Sequence, residues 1–237
     1  MSLRIVNWNL EWAAPEGPKG KSLRERINAE TPEVVCLTEA SLDFLTLGHV
    51  VASEPDYGYP ITASRRKVQL WSRRPWSNVE TIGDQRLPPG RFVRATTETS
   101  LGPVTFVGVC IPWKDAHVLT GRKDRQQWED HVAYLEGLSE VLAAAGDRGV
   151  VLLGDFNQTV PCTHAPDEVF NKLKEVLKGL TVATSGEKQA NMRQMIDHVC
   201  HSPDLACDGG RILDKRDEKL GELTDHHGWS GVISSAG

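Results

Sequence analysis

No stretch of this sequence approaches the roughly 18 consecutive apolar residues of a membrane-spanning helix, so a membrane-spanning helix is not expected. The chain also has no surplus of positive charge: Lys plus Arg number 27 against 32 Asp plus Glu, a net charge of −5. That balance lacks the strongly basic field of a protein that grips nucleic acid mainly through its phosphates, although a local basic groove is still allowed. Cysteine is scarce and unpatterned. The five (Cys36, Cys110, Cys162, Cys200, Cys207) form an odd set with no C-x-x-C pair, which argues against a zinc or disulfide framework and for reduced, largely buried thiols. The opening Met1-Ser2-Leu3-Arg4-Ile5-Val6-Asn7 meets polar residues too early for a signal peptide, so a cytoplasmic protein is the expectation, with a monomer as the default state. Low-complexity tracts, repeats and a Pro/Gly/Ser-rich linker are all missing, and 237 residues are expected to form one domain, 1–237.

What is present is an alternation of short apolar runs and amphipathic stretches. Arg4 to Leu10 and Val34 to Leu37 read as strands flanking a helix that covers Leu23 to Ala29 and stops before Pro32. Lys67 to Ser72, Phe92 to Thr99 and Val104 to Ile111 read as neighbouring antiparallel strands separated by Pro and Gly. Arg125 to Ala145 sets Trp128, Val132, Leu135, Leu138 and Leu142 on one helical face, ended by Gly146. Val150 to Leu153 reads as a strand buried on both faces, Val169 to Leu180 as a further helix, and Met195 to Cys200 and Gly231 to Ser234 as closing strands. This is an α/β pattern with a mixed or antiparallel sheet.

Chemistry gathers where these strands end. After Val150-Val151-Leu152-Leu153 comes Gly154-Asp155-Phe156-Asn157, a carboxylate and a carboxamide two residues apart and so able to address one target. A simple Gly-Asp turn with Asn in a left-handed conformation accounts for these residues equally well. Leu223-Thr224-Asp225-His226-His227 offers a metal-ligating acid beside an imidazole that titrates near neutrality, though lone histidines are more often solvent-facing or packed. Asp197, inside an apolar run, needs a partner to be tolerated there, and a histidine is a natural one. Glu39 ends a second strand and Asn9 sits in the first. Each has a bland reading, as an edge charge or a turn former. Jointly, four strands each deliver an oxygen or imidazole ligand at one end.

In order along the chain, Trp8-Asn9, Leu37-Thr38-Glu39, Leu70-Trp71-Ser72-Arg73, Gly154-Asp155-Phe156-Asn157, Ile196-Asp197-His198 and Thr224-Asp225-His226 resemble the motifs of the endonuclease/exonuclease/phosphatase superfamily with the DNase I-like fold. The resemblance runs from end to end. It implies a four-layer α/β/β/α sandwich with two mixed, mainly antiparallel sheets, and a metal-dependent hydrolase of phosphoesters. By the same resemblance Asn9, Glu39 and Asp225 would hold Mg²⁺ or Mn²⁺ through hard oxygens. His226, oriented by Asp197, would act as general base or electrostatic partner of the attacked phosphate. Asp155 would position or deprotonate the attacking water, and Asn157 would donate to a phosphoryl oxygen. Arg91 or Arg94 falls where the family carries an arginine.

Departures from the family pattern matter as well. Cys110 stands where the family usually has His or Tyr, and a thiol donates only weakly; Lys114 and His117, just downstream, are candidates to take over phosphate contact, an exposed loop being the alternative. His198 replaces the usual Tyr beside Asp197. Trp71, Trp76, Trp113 and Trp128 are available for stacking on unpaired bases, and basic clusters occur at Arg65-Arg66-Lys67, Arg73-Arg74 and Arg122-Lys123-Asp124-Arg125. The expected function is a phosphodiesterase or nuclease acting on nucleic acid. The alternatives are a small-molecule or lipid phosphatase of the same fold, and a catalytically weakened binding member in which Cys110 marks the loss.

Overall fold

The computed structural model describes residues 1–189 and 193–237. Two six-stranded sheets carry the fold. Numbered along the chain, the first contains β1 (Ser2–Asn9), β2 (Val34–Ser41), β3 (His49–Ala52), β4 (Arg65–Ser72), β11 (Leu205–Leu213) and β14 (Gly228–Ser235), in the spatial order β11-β14-β1-β2-β4-β3. The second contains β5 (Trp76–Glu80), β6 (Phe92–Thr99), β7 (Gly102–Cys110), β8 (Val150–Asp155), β9 (Thr181–Val182) and β10 (Asp197–His201), in the order β5-β6-β7-β8-β10-β9. A small ribbon joins β12 (Arg216–Asp217) to β13 (Gly221–Glu222). The helices are α1 (Pro18–Ala29), α2 (Glu129–Ala145) and α3 (Asp167–Val176). Among the described residues only the strand pairs β1–β2 and β7–β8 run parallel; the other strand pairs are antiparallel.

The sheets pack face to face over Ile5, Cys36, Leu70, Val93, Phe106, Leu153 and Trp229. On the outside of the first sheet Leu23 and Ile27 of α1 bury against Trp8, Leu37 and Phe44. On the outside of the second, Tyr134, Leu138 and Val141 of α2 and Leu173 and Val176 of α3 cover Val107, Val109, Val150 and Leu152. The result is the α/β/β/α sandwich that the motifs imply. All six residues of β8 are buried, because one of its faces meets the opposing sheet and the other meets helices.

The structure redraws several local readings. The strand at 67–72 is not a sheet neighbour of 92–99 and 104–111; it pairs with β2 and β3 in the opposite sheet and meets β6 and β7 across the core. Periodicity reports which face is apolar and is silent on which strand lies alongside. α2 begins at Glu129, because Trp128 takes a left-handed φ of 68° and Arg125 turns back to bind Asp130 at 2.7 Å. Its fully covered face is centred on Tyr134, Leu138 and Val141, whereas Val132 and Leu142 are only half-buried. Cys36, Cys110 and Cys200 are buried, Cys162 and Cys207 partly so, and all five are free thiols.

Candidate active site

Strand ends from both sheets converge on one cleft of about 720 Å³, lined among others by Asn9, Glu39, Arg91, Asp155, Asn157, Asp225 and His226. The register makes this convergence possible. Asn9 lies beside Thr38 at the carboxyl ends of parallel β1 and β2, and Cys110 lies beside Asp155 at the ends of parallel β7 and β8. Antiparallel β10 enters from the other direction and places Asp197 opposite Asp155. Gly154 is required here: its φ is +143°, and a Cβ would sit 1.9 Å from the Val109 carbonyl oxygen. Asn7 fastens the sheets behind the site, donating to the carbonyls of Gly154 and His198 at 3.2 and 3.3 Å.

Asp155 is the hub. Its Oδ2 accepts from Nδ2 of Asn9 and of Asn157, each at 3.1 Å, and its Oδ1 accepts from the Asn157 N–H at 2.9 Å. The second hydrogen of the Asn157 amide goes to the Ile111 carbonyl at 2.9 Å. Both hydrogens of the Asn157 amide are therefore engaged within the protein, one on Asp155 and one on the Ile111 carbonyl, rather than offered to a phosphoryl oxygen. Asn157 also holds a left-handed φ of 52°, so the turn reading and the site reading describe the same residue. Glu39, with φ 50°, is likewise left-handed although it lies within β2. Strained backbone of this kind persists where surrounding structure holds it, and functional sites are frequent locations.

Asp197 and His226 form the pair expected of a buried carboxylate. His226 Nδ1 stands 2.6 Å from Asp197 Oδ2, and its Nε2 is 3.5 Å from Asp225 Oδ1. Burial disfavours the imidazolium, but Asp197's charge and hydrogen bond, helped by Asp155 and Asp225, overcome it and push His226 up to about 10. Burial pushes Asp155 up to about 7; the charge of Asp197 adds to this, while His226 and the Asn157 N–H oppose it. Ligand atoms of Asp155, Asp197 and His226 lie within 4.8 Å of one another, an acidic and histidine cluster of the kind that can hold a metal. His198 does not anchor Asp197. Strand alternation sends its ring the other way, to Thr184 Oγ1 at 2.8 Å and the Gln158 carbonyl at 3.0 Å.

Cations and aromatic rings form the rest of the cleft. Arg91 is 97% buried, or 3% exposed, and lines the cleft with no carboxylate of the described residues within salt-bridge reach of 4.0 Å. Arg94, the other candidate, is tied to Glu80 and faces away. Lys67 Nζ lies 2.5 Å from Glu39 Oε1 and over the rings of Trp12 and Tyr57, while Arg65 covers Trp12 from 5.0 Å. Trp12 stacks on Tyr57, and Tyr57 approaches Tyr59 at 5.8 Å. Of the four tryptophans proposed for stacking, only Trp113 lines the cleft, 45% exposed. Trp71 packs against the α1 side, Trp76 meets Phe106 edge-on, and Trp128 meets His131. The sequence places Lys67 only within a basic cluster and gives no sign of Trp12, Tyr57 and Tyr59 as cleft residues. Lys67 could have been found by pairing the antiparallel strands, since Thr38 opposes Val68 and Ala40 opposes Arg66, which sets Lys67 against Glu39.

Two candidates lie elsewhere. His117 is buried beneath Tyr59, with its ring nitrogens facing Arg122 at 3.2 and 3.3 Å, so it builds the loop rather than facing the cleft. Burial and the Arg122 charge hold it below the usual histidine range. Lys114 is 53% exposed and outside the cleft lining. Cys110 does line the cleft, but burial pushes its thiol up to about 12, so it offers neither a charge nor a strong donor. Among the basic clusters, Arg65 and Lys67 reach the cleft; Arg73 and Arg74 line a separate cavity, and Arg122 and Arg125 are held by Asp124 and Asp130.

The donor chemistry suits a hard divalent cation. Glu39, Asp225 and Asn9 supply two carboxylates and a carboxamide to the cleft that holds Asp155. Asn9 Oδ1 accepts the Glu11 N–H at 2.9 Å, which leaves its second lone pair, and Asp225 is 60% exposed. Asn9 and Glu39 are thus already engaged by the protein itself, Glu39 with an ammonium.

The fold recurs in known structures. A 3′-5′ exonuclease (NExo) from Neisseria meningitidis superposes with a TM-score of 0.72 at 19% identity, over 97% of this chain and 98% of that one. The human Nocturnin catalytic domain gives 0.70 at 17% identity, over 99% and 95%. The endonuclease domain of a telomere-specific non-LTR retrotransposon gives 0.67 at 17%, over 98% of each. No curated protein matches in sequence. At these identities the structures establish the fold; the sequence profile of the endonuclease/exonuclease/phosphatase family matches residues 6–226, across every site element described above. The chain belongs to the endonuclease/exonuclease/phosphatase family.

Proposed function

We propose that residues 1–237 form one domain that hydrolyses phosphodiesters of nucleic acid with the help of Mg²⁺ or Mn²⁺. The observation that carries this reading is the meeting, in one cleft, of Asp155, His226 backed by Asp197, and an arginine with no carboxylate partner among the described residues. Asp155, held near neutrality, is poised to take a proton from an attacking water. His226 is protonated at pH 7, so of the two roles open to it the electrostatic one fits: Asp197 fixes its Nδ1 and its Nε2 edge faces the cleft as a charged donor. Arg91 would bind the phosphate, and Asn9 and Asn157 would hold Asp155 in place rather than touch substrate. Glu39, Asn9 and Asp225 would hold the metal, which when bound neutralises charge on the phosphoryl group.

Substrate class follows from the walls. Trp12, Tyr59 and the exposed Trp113, with Arg65 beside them, present ring faces and edges suited to unpaired bases. The net charge of −5 offers no broad field for gripping a duplex. Two of the structural relatives are an exonuclease and an endonuclease by name, which supports nucleic acid as the substrate. No helix among the described residues is long and apolar enough to cross a membrane, and five free thiols suit the reducing cytoplasm. A monomer is the working state. Metal-requiring turnover of bis(p-nitrophenyl) phosphate and of a single-stranded oligonucleotide, lost with chelator and in His226→Ala, is the expected outcome. Turnover of the phosphomonoester alone would turn the reading to a phosphatase. No turnover of any of these by folded protein would favour a binding role.

A further inference from the structure

Lys67, like Arg65, is a cleft cation that the family motifs do not account for, and it is the one in contact with Glu39. Its side chain is only 12% exposed, and its ammonium is fixed on several sides: Glu39 Oε1 at 2.5 Å, the Trp12 ring at 5.3 Å and the Tyr57 ring at 5.3 Å. Strand pairing places it directly across from Glu39, so the contact follows from the register of β2 and β4 and not from a chance rotamer. A charge-assisted contact of this geometry, backed by two ring faces, is among the stronger ones available to a lysine. The Glu39 oxygen that it engages belongs to the carboxylate proposed to hold the divalent ion.

We propose that Lys67 is a resident cation of the metal pocket, competing with the divalent ion for Glu39 and lowering the chain's affinity for that ion. The inference rests on the metal reading given above. Its logic is charge balance: with Lys67 in contact, Glu39 is neutralised, and an incoming ion must break that contact before it gains a hard anionic ligand. The lysine stem is long and flexible, so the ammonium can leave Glu39 and stay on the ring wall inside the cleft. There it faces the region where a substrate phosphate would lie. Metal loading and phosphate binding then favour one another, because an anion that takes up the ammonium frees Glu39.

Mn²⁺ binding measured by isothermal titration calorimetry tests this without reference to turnover. Lys67→Met keeps a stem of similar length over Trp12 and Tyr57 while removing the charge, and is expected to bind Mn²⁺ about tenfold more tightly than the native chain. Lys67→Arg keeps the charge and is expected to bind no more tightly than native. Glu39→Gln is expected to abolish the site in both the native and Lys67→Met backgrounds. Equal or weaker Mn²⁺ binding by Lys67→Met, with Glu39→Gln still abolishing it, would overturn the competition and leave the metal reading standing. Should Lys67→Met not fold, tighter binding by Lys67→Arg would overturn the competition. Mn²⁺ binding indifferent to Glu39→Gln in every background would instead remove the metal reading itself.

Discussion

Asp197→Asn removes one charge from the site and keeps its shape, so it isolates what the carboxylate does for His226. In the native chain Asp197 Oδ2 sits 2.6 Å from His226 Nδ1, both groups are largely sequestered, and the imidazole is pushed from the ordinary 6.5 to about 10. That displacement corresponds to roughly 5 kcal/mol of net preference for the charged ring, left after burial has opposed the combined pull of Asp197, Asp155 and Asp225. With asparagine in place, burial pulls the ring down and only the remaining carboxylates hold it up. We expect it to titrate near or below neutrality, and turnover at pH 7.5 to fall by roughly 10²- to 10⁴-fold, the usual range for losing a positioned proton-transfer or charge partner. The sign of the stability effect also follows. Because the folded value lies above the unfolded one, the pair's stabilisation is fully present below 6.5 and is lost as pH rises through about 10. The native-minus-variant stability difference should therefore shrink across that alkaline window. The assay is the titration of the His226 Cε1 proton by NMR in chelator-treated protein, with urea denaturation at pH 6 and pH 10 in parallel. A midpoint that stays above 9 in Asp197→Asn would refute the reasoning.

Three further outcomes are expected. His131 and His198 are held down to about 4 by burial, so the unfolded chain takes up protons first as pH falls below 6.5; stability should drop between pH 6.5 and 4 by up to roughly 3 kcal/mol per ring, and a Cε1 midpoint near 6.5 for either ring would contradict this. Gly154→Ala forces a Cβ to 1.9 Å from the Val109 oxygen at a φ of +143°; a loss of about 4 kcal/mol or more is expected by urea denaturation, and a native-like midpoint would show that the backbone there relaxes freely. Cys36, Cys110 and Cys200, whose thiols burial pushes well up, should be silent to a thiol reagent until the chain is unfolded; rapid labelling of more than the two partly exposed thiols of the native protein would count against that packing.

Central strands were legible in the sequence because they are apolar without interruption: β8 and the apolar part of β2 stand out, and the turn residues around them mark their ends. β3, β5 and most of β11 were not, since as edge strands they are only partly covered and carry no clean alternation. At the site, Asp197 announced its need for a partner simply by being an acid in an apolar run, and His226 supplied it. Arg91 could be placed near the site but not distinguished from Arg94, because only the fold shows which one Glu80 neutralises. The expectation for Asn157 comes from its motif and those for Lys114 and His117 from proximity along the chain; hydrogen bonds from Asn157 to Asp155 and Ile111, and from the Arg122 loop to His117, are properties of the folded neighbourhood.

Neither sheet owns this cleft. One carries Asn9 and Glu39 and continues from the loop of Asp225 and His226, the other carries Asp155, Asp197 and Arg91's strand-edge position, and the contacts Asn9–Asp155 and His226–Asp197 bridge the seam. Asn7 stitches the same seam one strand-turn deeper. The site is therefore a vernier for the packing of the whole sandwich: a small slip between sheets separates the dyad before it unfolds any strand. Substitutions at Phe106 or Leu70, which line the inter-sheet layer, should register in the alignment of His226 on Asp197 while leaving each sheet's own hydrogen bonds intact.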